Sequence, residues 1–523
     1  MPTRARLLVP VLLLLYAAQA ATAVSTKSAT WDETNYFGMG DYLLKHQQWD
    51  VPSAPIHPPL AYYLDSLPLL WEDLDRRVWN YSAEPSKDLA FLGAADIARG
   101  QALLSSEANR DDRLLNRARF MVILQALLLG YVVYRVAAAL YGLAAGLIAL
   151  AFFALCPNML AHGALITPDM TLTVFCFTTM ALFRQALVHD TRRYHVLSGI
   201  SLGLALLSKF PALLLLPVEA IILGFMAFGG RRLPIKGLLL SAACTIAVFL
   251  VGYGLNPQPY LQGLTIQSSA AGHWSYLMGQ LSSEGWWYYI FVAFLLKTPI
   301  PLLLCFGGAL FLVMAKLFRR TITLDDLILW LPIVAFFAFF SVELRSIGLR
   351  YVLPVYPFIF VVAAGALMHL SSRFKFLLIL PLLWYPVTAW TTWPHHLAYF
   401  NEFAGGPAHG YRYLVDSNLD WGQDLKGLKQ FMDSRGIDRV YLSYFGTDSP
   451  DRYGIKYDWL PSYQLRNPNP AATSINIQRK SYVAISVTNL QGVYLEPQTM
   501  FRWLDKYTPV ARIGHSIFVY YID

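Results

Sequence analysis

The sequence predicts a polytopic α-helical membrane protein that carries a small soluble α/β domain at its C-terminal end. Three observations lead there. Of the 523 residues, 56% are hydrophobic and only 14% are charged, against roughly 25% charged in ordinary soluble domains; mean hydropathy is +0.42. The apolar residues come in blocks near spanning length, separated by short basic loops. The last stretch, 394–523, holds no such block. Much of the net charge of +8 falls in those short loops, as the positive-inside rule expects, so it gives no reason to invoke nucleic acid.

Arg4 and Arg6 precede LLVPVLLLLYAA, and Ala18-Gln19-Ala20 resembles a signal-peptidase site. The segment reads either as a cleaved leader or as a first span over Leu7–Val24 with the arginines cytoplasmic. Both put Asp32 outside. The retained helix is preferred, because the later spans need a partner that anchors the acidic loop. Residues 25–119 form a long external loop; within it, LPLLWEDLDRRVWN is amphipathic and predicts short helices lying along the membrane surface. Phe120–Leu140 crosses inward, Tyr141-Gly142 turns, and Leu143–Leu155 returns. The linker CPNMLAHGALITPDM carries breakers at both ends, and Thr171–Val188 crosses to the basic loop HDTRRYH.

Val196–Leu207 and Pro211–Phe228 make a hairpin broken at Ser208-Lys209-Phe210-Pro211, which puts Lys209 near the outer surface. Gly237–Leu255 leads out to a second external loop that ends in the aromatic belt Trp286-Trp287-Tyr288-Tyr289. Phe291–Ala315, interrupted at Lys297-Thr298-Pro299, reads as an interfacial helix followed by a span. Leu327–Ser341, the run from VELRSIGLRYVLPVYP to Leu370, and Phe376–Trp393 complete about eleven spans. The odd count leaves the C-terminal part outside. There DLKGLKQFMDSRG reads as a helix stopped by Gly436, and RVYLSYFG, SYVAISVT and HSIFVYYI as strands. The expected division is a membrane unit over 1–393 and an external α/β unit over 394–523. Cys156, Cys176, Cys244 and Cys305 lie in or beside apolar runs without ligand spacing and read as small core residues.

Chemistry is expected where charge is costly. Asp32, Glu33, His57, Asp169, Lys209, Lys297, Arg345 and Arg350 all map to the outer leaflet or external loops, as do Arg113, Arg117 and Arg119. Each has a plain alternative: lysines snorkel to the interface, arginines pair with lipid phosphate, and Asp32-Glu33 could simply sit in water. Together they suit group transfer from a lipid phosphate. A carboxylate takes a proton from an acceptor hydroxyl, while cations stabilise the departing phosphate in a low-dielectric site. Asp32, Glu33 and Asp169 also offer hard oxygen ligands for a divalent metal, and His57 or His162 would favour zinc.

Four segments resemble the superfamily of protein O-mannosyltransferases and aminoarabinose transferases, GT-C glycosyltransferases of the family 39 type. They are Asp32-Glu33 with HPPL at His57–Leu60, Thr167-Pro168-Asp169, GLALLSKFPALLLLP at Gly203–Pro217, and LRYVLPVYP at Leu349–Pro357. The resemblance covers roughly residues 1–393. It implies a GT-C fold, Asp32 as the base, and Asp169 as the acid of the loop between the third and fourth spans. It further implies a second-span arginine at Arg117 or Arg119, and Arg350 with Tyr351 near the lipid phosphate. His57 stands where some members have lysine. The central β-trefoil of eukaryotic members is lacking, and Tyr413–Leu425 (YLVDSNLDWGQDL) resembles a stretch of bacterial members.

The implied activity is transfer of a sugar, with inversion, from a polyprenyl-phosphate carrier to a protein, lipid or glycan hydroxyl or phosphate. It would take place on the outer face of a bacterial inner membrane, among membrane lipids. Asp32, Glu33 and Asp169 are then the catalytic candidates. His57, Arg117, Arg119, Lys209, Lys297, Arg350 and Tyr351 are the candidates for binding substrate. The competing reading is a transporter or flippase for a lipid-linked or anionic solute. It would tend to show paired halves with helices interrupted near the midplane, and no internal repeat is found here.

Overall fold

The computed structural model describes residues 7–46, 49, 54–72, 94–269, 274–343, 347–369, 379–463 and 477–523. Arg345 and most of the amphipathic segment after Glu72 lie outside the described residues. Eight described helical stretches are long and apolar enough to cross a membrane: Leu8–Ser25, Glu107–Tyr141, Pro168–His189, Phe210–Phe228, Ile235–Gly252, Ile300–Phe318, Leu324–Val342 and Leu349–His369. Three shorter helices, Leu143–Ala154, Arg192–Leu206 and Ile379–Thr392, stand where the sequence places the remaining spans. This is an integral membrane protein.

In chain order the helices are α1 Leu8–Ser25, α2 Trp31–His46, α3 Leu60–Ser66, α4 Ala94–Leu104, α5 Arg113–Tyr141, α6 Leu143–Ala154, α7 Pro157–His162 and α8 Pro168–His189. There follow α9 Arg192–Leu206, α10 Leu215–Phe228, α11 Ile235–Gly252, α12 Gln258–Ser269, α13 Tyr289–Lys297, α14 Ile300–Phe318, α15 Leu324–Val342, α16 Tyr356–His369 and α17 Ile379–Thr392. The α16 helix is apolar on every side and buried at each residue from Tyr356 to Gly365, so it forms the centre of the bundle. The α11 helix is as apolar but buries only Thr245, which leaves its surface to lipid. The expected interfacial helix and span around Lys297 are α13 and α14, separated by Thr298-Pro299.

Charges at one end of the bundle pair among themselves, Arg184 with Asp325 at 2.6 Å and Lys316 with Asp326 at 2.7 Å. At the other end lie α2, the hairpin β1–β2 (Ser275–Leu277, Gln280–Ser282) and the C-terminal unit. That unit is a five-stranded sheet in the order β4-β3-β5-β7-β6: Lys456–Trp459, Arg439–Ser443, Ser481–Ser486, Ile517–Ile522 and Ala511–Ile513. β3 runs parallel to β4 and to the central β5, while β7 is antiparallel to β5 and β6.

Strand alternation assigns the two sheet faces. Ala484, Ile517 and Val519 pack with Leu425, Leu428 and Met432 of α18 (Leu425–Arg435). Val483, Ile485, Phe518 and Tyr520, one residue out of phase, join the hydrophobic core shared with the membrane helices. Backbone bonds tie the unit to the first loop: Ser28 N to Gln423 O at 3.0 Å and Trp31 N to Trp421 O at 2.8 Å.

Candidate functional site

Four breaks in helical structure meet at one point. Asp32 sits in the first turn of α2, and Asp169 in the first turn of α8 behind Pro168. Lys209 is extended between α9 and α10, and Arg350 lies in the 3₁₀ stretch Leu349–Val355 that leads into α16. Irregular backbone at membrane depth is tolerated where it is enclosed by protein or lines a cavity, and here it lines one of about 640 Å³.

The four side chains form a chain of alternating charge. Asp32 Oδ2 accepts from Arg350 Nη1 at 2.5 Å, Arg350 Nη1 is 3.6 Å from Asp169 Oδ2, and Lys209 Nζ donates to Asp169 Oδ1 at 2.7 Å. The formal charges cancel, which makes burial affordable. The capacity is not fully used: Arg350 Nε and Asp169 Oδ2 have no hydrogen-bond partner among the described residues. The Arg350 guanidinium lies 4.4 Å from the Trp421 ring centre and 5.6 Å from that of Tyr351. These contacts fix its plane while leaving edges for a ligand. Asp32, at 19% side-chain exposure against 1% for Asp169, is the acid that opens to the cavity.

The cavity lining includes apolar side chains, among them Phe210, Leu213, Leu214, Phe339 and Phe340, and the polar Tyr36, His57, Gln267 and Glu343. Tyr36 follows Asp32 by one helical turn and so shares its face. Burial, with the Asp32 charge second, holds its phenol well above the usual range, so Tyr36 faces the cavity as a protonated donor.

Of the sequence candidates, the structure brings Asp32, Asp169, His57, Lys209, Arg350 and Tyr351 together. It does not bring in Glu33, Arg117, Arg119 or Lys297. Glu33 and Arg119 are 0% exposed and form a two-pronged ion pair, at 2.8 and 2.7 Å. Glu33 also accepts from Thr30 N at 2.8 Å and Ile166 N at 3.2 Å, and Arg119 donates to the carbonyls of Val24, Lys27 and Ser28. Every direction in which either could meet a substrate is occupied. Arg117 bonds Glu72 at 2.5 Å on the surface, as does Arg113 at 3.0 Å. Lys297 is enclosed and donates to the carbonyls of Leu397 and Asn418, beneath the Phe400 ring. The buried imidazole of His162, pushed down to about 3 by burial, is neutral and lies edge-on to Trp421.

The carboxylates that could offer oxygen to a divalent metal are engaged in ion pairs. Among the described residues no group of three His, Cys, Asp or Glu side chains is close enough to hold an ion. Glu33 is turned to Arg119, and Asp32 and Asp169 are already neutralised by Arg350 and Lys209.

Sequence reasoning missed Tyr36 and Trp421. The i, i+4 spacing to Asp32 could have found the first. Trp421 reaches Arg350 from a distant part of the chain, and the resemblance of Tyr413–Leu425 marked its stretch without giving it a role. The pattern Thr30-x-x-Glu33, with the glutamate reaching back to the threonine amide, could have marked Glu33 as a helix-capping residue.

Residues 113–253 match the family described as dolichyl-phosphate-mannose-protein mannosyltransferase. No curated protein matches the chain. Among solved structures, the chain is similar to ArnT from Cupriavidus metallidurans bound to undecaprenyl phosphate. The TM-score is 0.50 at 14% identity, covering 98% of this chain and 97% of that one. The apo state of the same ArnT gives a TM-score of 0.50 at 14% identity, with 99% and 98% covered. An oligosaccharyltransferase from Archaeoglobus fulgidus gives 0.46 at 13% identity, over 98% and 74%. The chain thus has the GT-C fold, and its residues 113–253 match the model of the protein-mannosyltransferase family.

Proposed function

We propose that the chain is a polyprenyl-phosphate-sugar-dependent glycosyltransferase, working on the extracytoplasmic face of a bacterial inner membrane. One observation carries the reading: the Asp32–Arg350–Asp169–Lys209 chain opens into a cavity that is also lined by Phe210, Leu213, Leu214, Phe339 and Phe340. A phosphate attached to a hydrocarbon needs both surfaces side by side. The family match and the likeness to an ArnT bound to undecaprenyl phosphate support the same donor class.

In the mechanism that follows, the donor phosphate takes the unused edge of Arg350, with Lys209 alongside and the first isoprene units against Phe339, Phe340 and Leu213. Competition from the phosphate loosens Arg350 from Asp32, and the freed carboxylate accepts the proton of an acceptor hydroxyl. The acceptor oxygen attacks the anomeric carbon from the face opposite the phosphate and inverts it. The bond from carbon to phosphate oxygen breaks, and its electrons go to the departing polyprenyl phosphate, whose second negative charge Arg350 and Lys209 balance. Asp169 keeps both cations in place. Glu33, Arg119 and Lys297 hold the backbone that presents these groups.

Arg350→Lys tests this. Lysine keeps the charge but loses the planar fork, so polyprenyl-phosphate-sugar affinity in nanodiscs should fall about tenfold or more, and turnover with it. A variant that binds and turns over donor normally would remove Arg350 from the phosphate site.

A further inference from the structure

A second cavity, of about 400 Å³, lies where the C-terminal sheet meets the external hairpin β1–β2. None of its lining residues belongs to the Asp32 site. Rings and planar polar groups dominate its wall, among them Tyr276, Tyr411, Tyr507, Gln498, Arg502 and Arg512. Several are fixed from behind. Arg512 is held against the rings of Tyr411 and Phe518, at 5.7 and 4.8 Å, and its Nη1 donates to Ala408 O at 2.8 Å. Tyr276 donates its hydroxyl to Arg412 O at 3.1 Å, and Gln491 Nε2 donates to Tyr411 O at 3.3 Å. Met278 N, in the hairpin turn, donates to Tyr413 O at 2.9 Å, which ties the hairpin to the same loop.

We infer that this cavity is a binding site for a short carbohydrate. Tyrosine faces accept the C–H side of a pyranose, and guanidinium, amide and carboxylate edges pair with its hydroxyls, which both donate and accept. The volume sits at the small end of ligand pockets, roughly 300–1,000 Å³, which suits one or two sugar rings. The polar lining disfavours a lipid chain, and phosphate serves as a competitor in the test. The loop that starts at Tyr411 continues to Trp421 over Arg350. The cavity's role as an acceptor subsite rests on the transferase reading; its binding of sugar does not.

The test uses the full chain in nanodiscs without donor. Saturation-transfer NMR is recorded with maltose, diacetylchitobiose and digalacturonate, with inorganic phosphate as competitor. At least one disaccharide should bind, about tenfold more weakly in Tyr507→Ala and more weakly also in the milder Gln498→Ala, while Asp32→Asn should bind as wild type does. Absence of signal from all three probes overturns the inference. So does affinity unchanged in both cavity variants, displacement by phosphate, or loss in Asp32→Asn. Failure of the transferase reading would appear separately, in donor turnover.

Discussion

Two neighbouring acids at the start of α2 have opposite surroundings. Asp32 faces a cavity, whereas Glu33 is closed in by Arg119, Thr30 and Ile166. Charge at a membrane edge drew both into the candidate set, and that signal alone cannot separate them, because what distinguishes them is a partner 86 residues away. The same holds for Lys297, satisfied by carbonyls of Leu397 and Asn418. Asp169, Lys209 and Arg350 entered the candidate set by the same signal of charge beside an apolar run, and the structure brings these three to the cavity. The difference is measurable. Glu33→Gln leaves the Arg119 cation buried without its counter-charge, a loss on the order of 3–5 kcal/mol. The expected result is a sharp drop in thermal stability and folded yield, with the donor KM of the surviving protein near wild type. A stable Glu33→Gln protein with lost turnover would return Glu33 to the chemistry.

At the scale of elements, spans were read from apolar blocks near spanning length, and strands β3, β5 and β7 from short β-rich runs. The short β4 and β6 have too few residues to alternate and were not seen. The loop from Tyr411 to Asp424 has no periodicity at all, yet it connects the sheet to the site through Trp421. Its Asp420 is enclosed, accepts from Thr488 N at 3.0 Å, and is pushed up to about 8 by burial. An unfolded aspartate releases its proton near pH 4, so between about 4 and about 8 the folded chain holds a proton that the unfolded chain has lost. Stability therefore falls as pH rises through that window. Asp420→Asn keeps the acceptor and removes the titration. Its unfolding midpoint should exceed wild type at pH 8, match it near pH 4, and show a flatter slope between. A wild-type slope in the variant would assign the pH dependence elsewhere.

At the scale of the whole molecule, the C-terminal sheet shares its inner face with the membrane core, a fusion that the composition change near residue 394 does not disclose. The two ends of the bundle differ in kind: one has paired surface charges, the other the cavity and sheet. Which end faces outward is tested by single cysteines at two exposed positions on a background lacking the native four. Thr321→Cys should react only with a membrane-permeant maleimide in intact cells, and Ser434→Cys also with an impermeant one. The reverse pattern would put the cavity on the cytoplasmic side.

The central claim, that Asp32 acts as base in transfer from a polyprenyl-phosphate sugar, is met most directly by turnover. Radiolabelled donor is given to wild-type and Asp32→Asn protein in nanodiscs with a membrane extract as the acceptor source, and release of polyprenyl phosphate is timed. General base catalysis is worth roughly 10²–10⁴-fold, so the variant should fall by at least about a hundredfold while still binding donor. Turnover above about a tenth of wild type would contradict it.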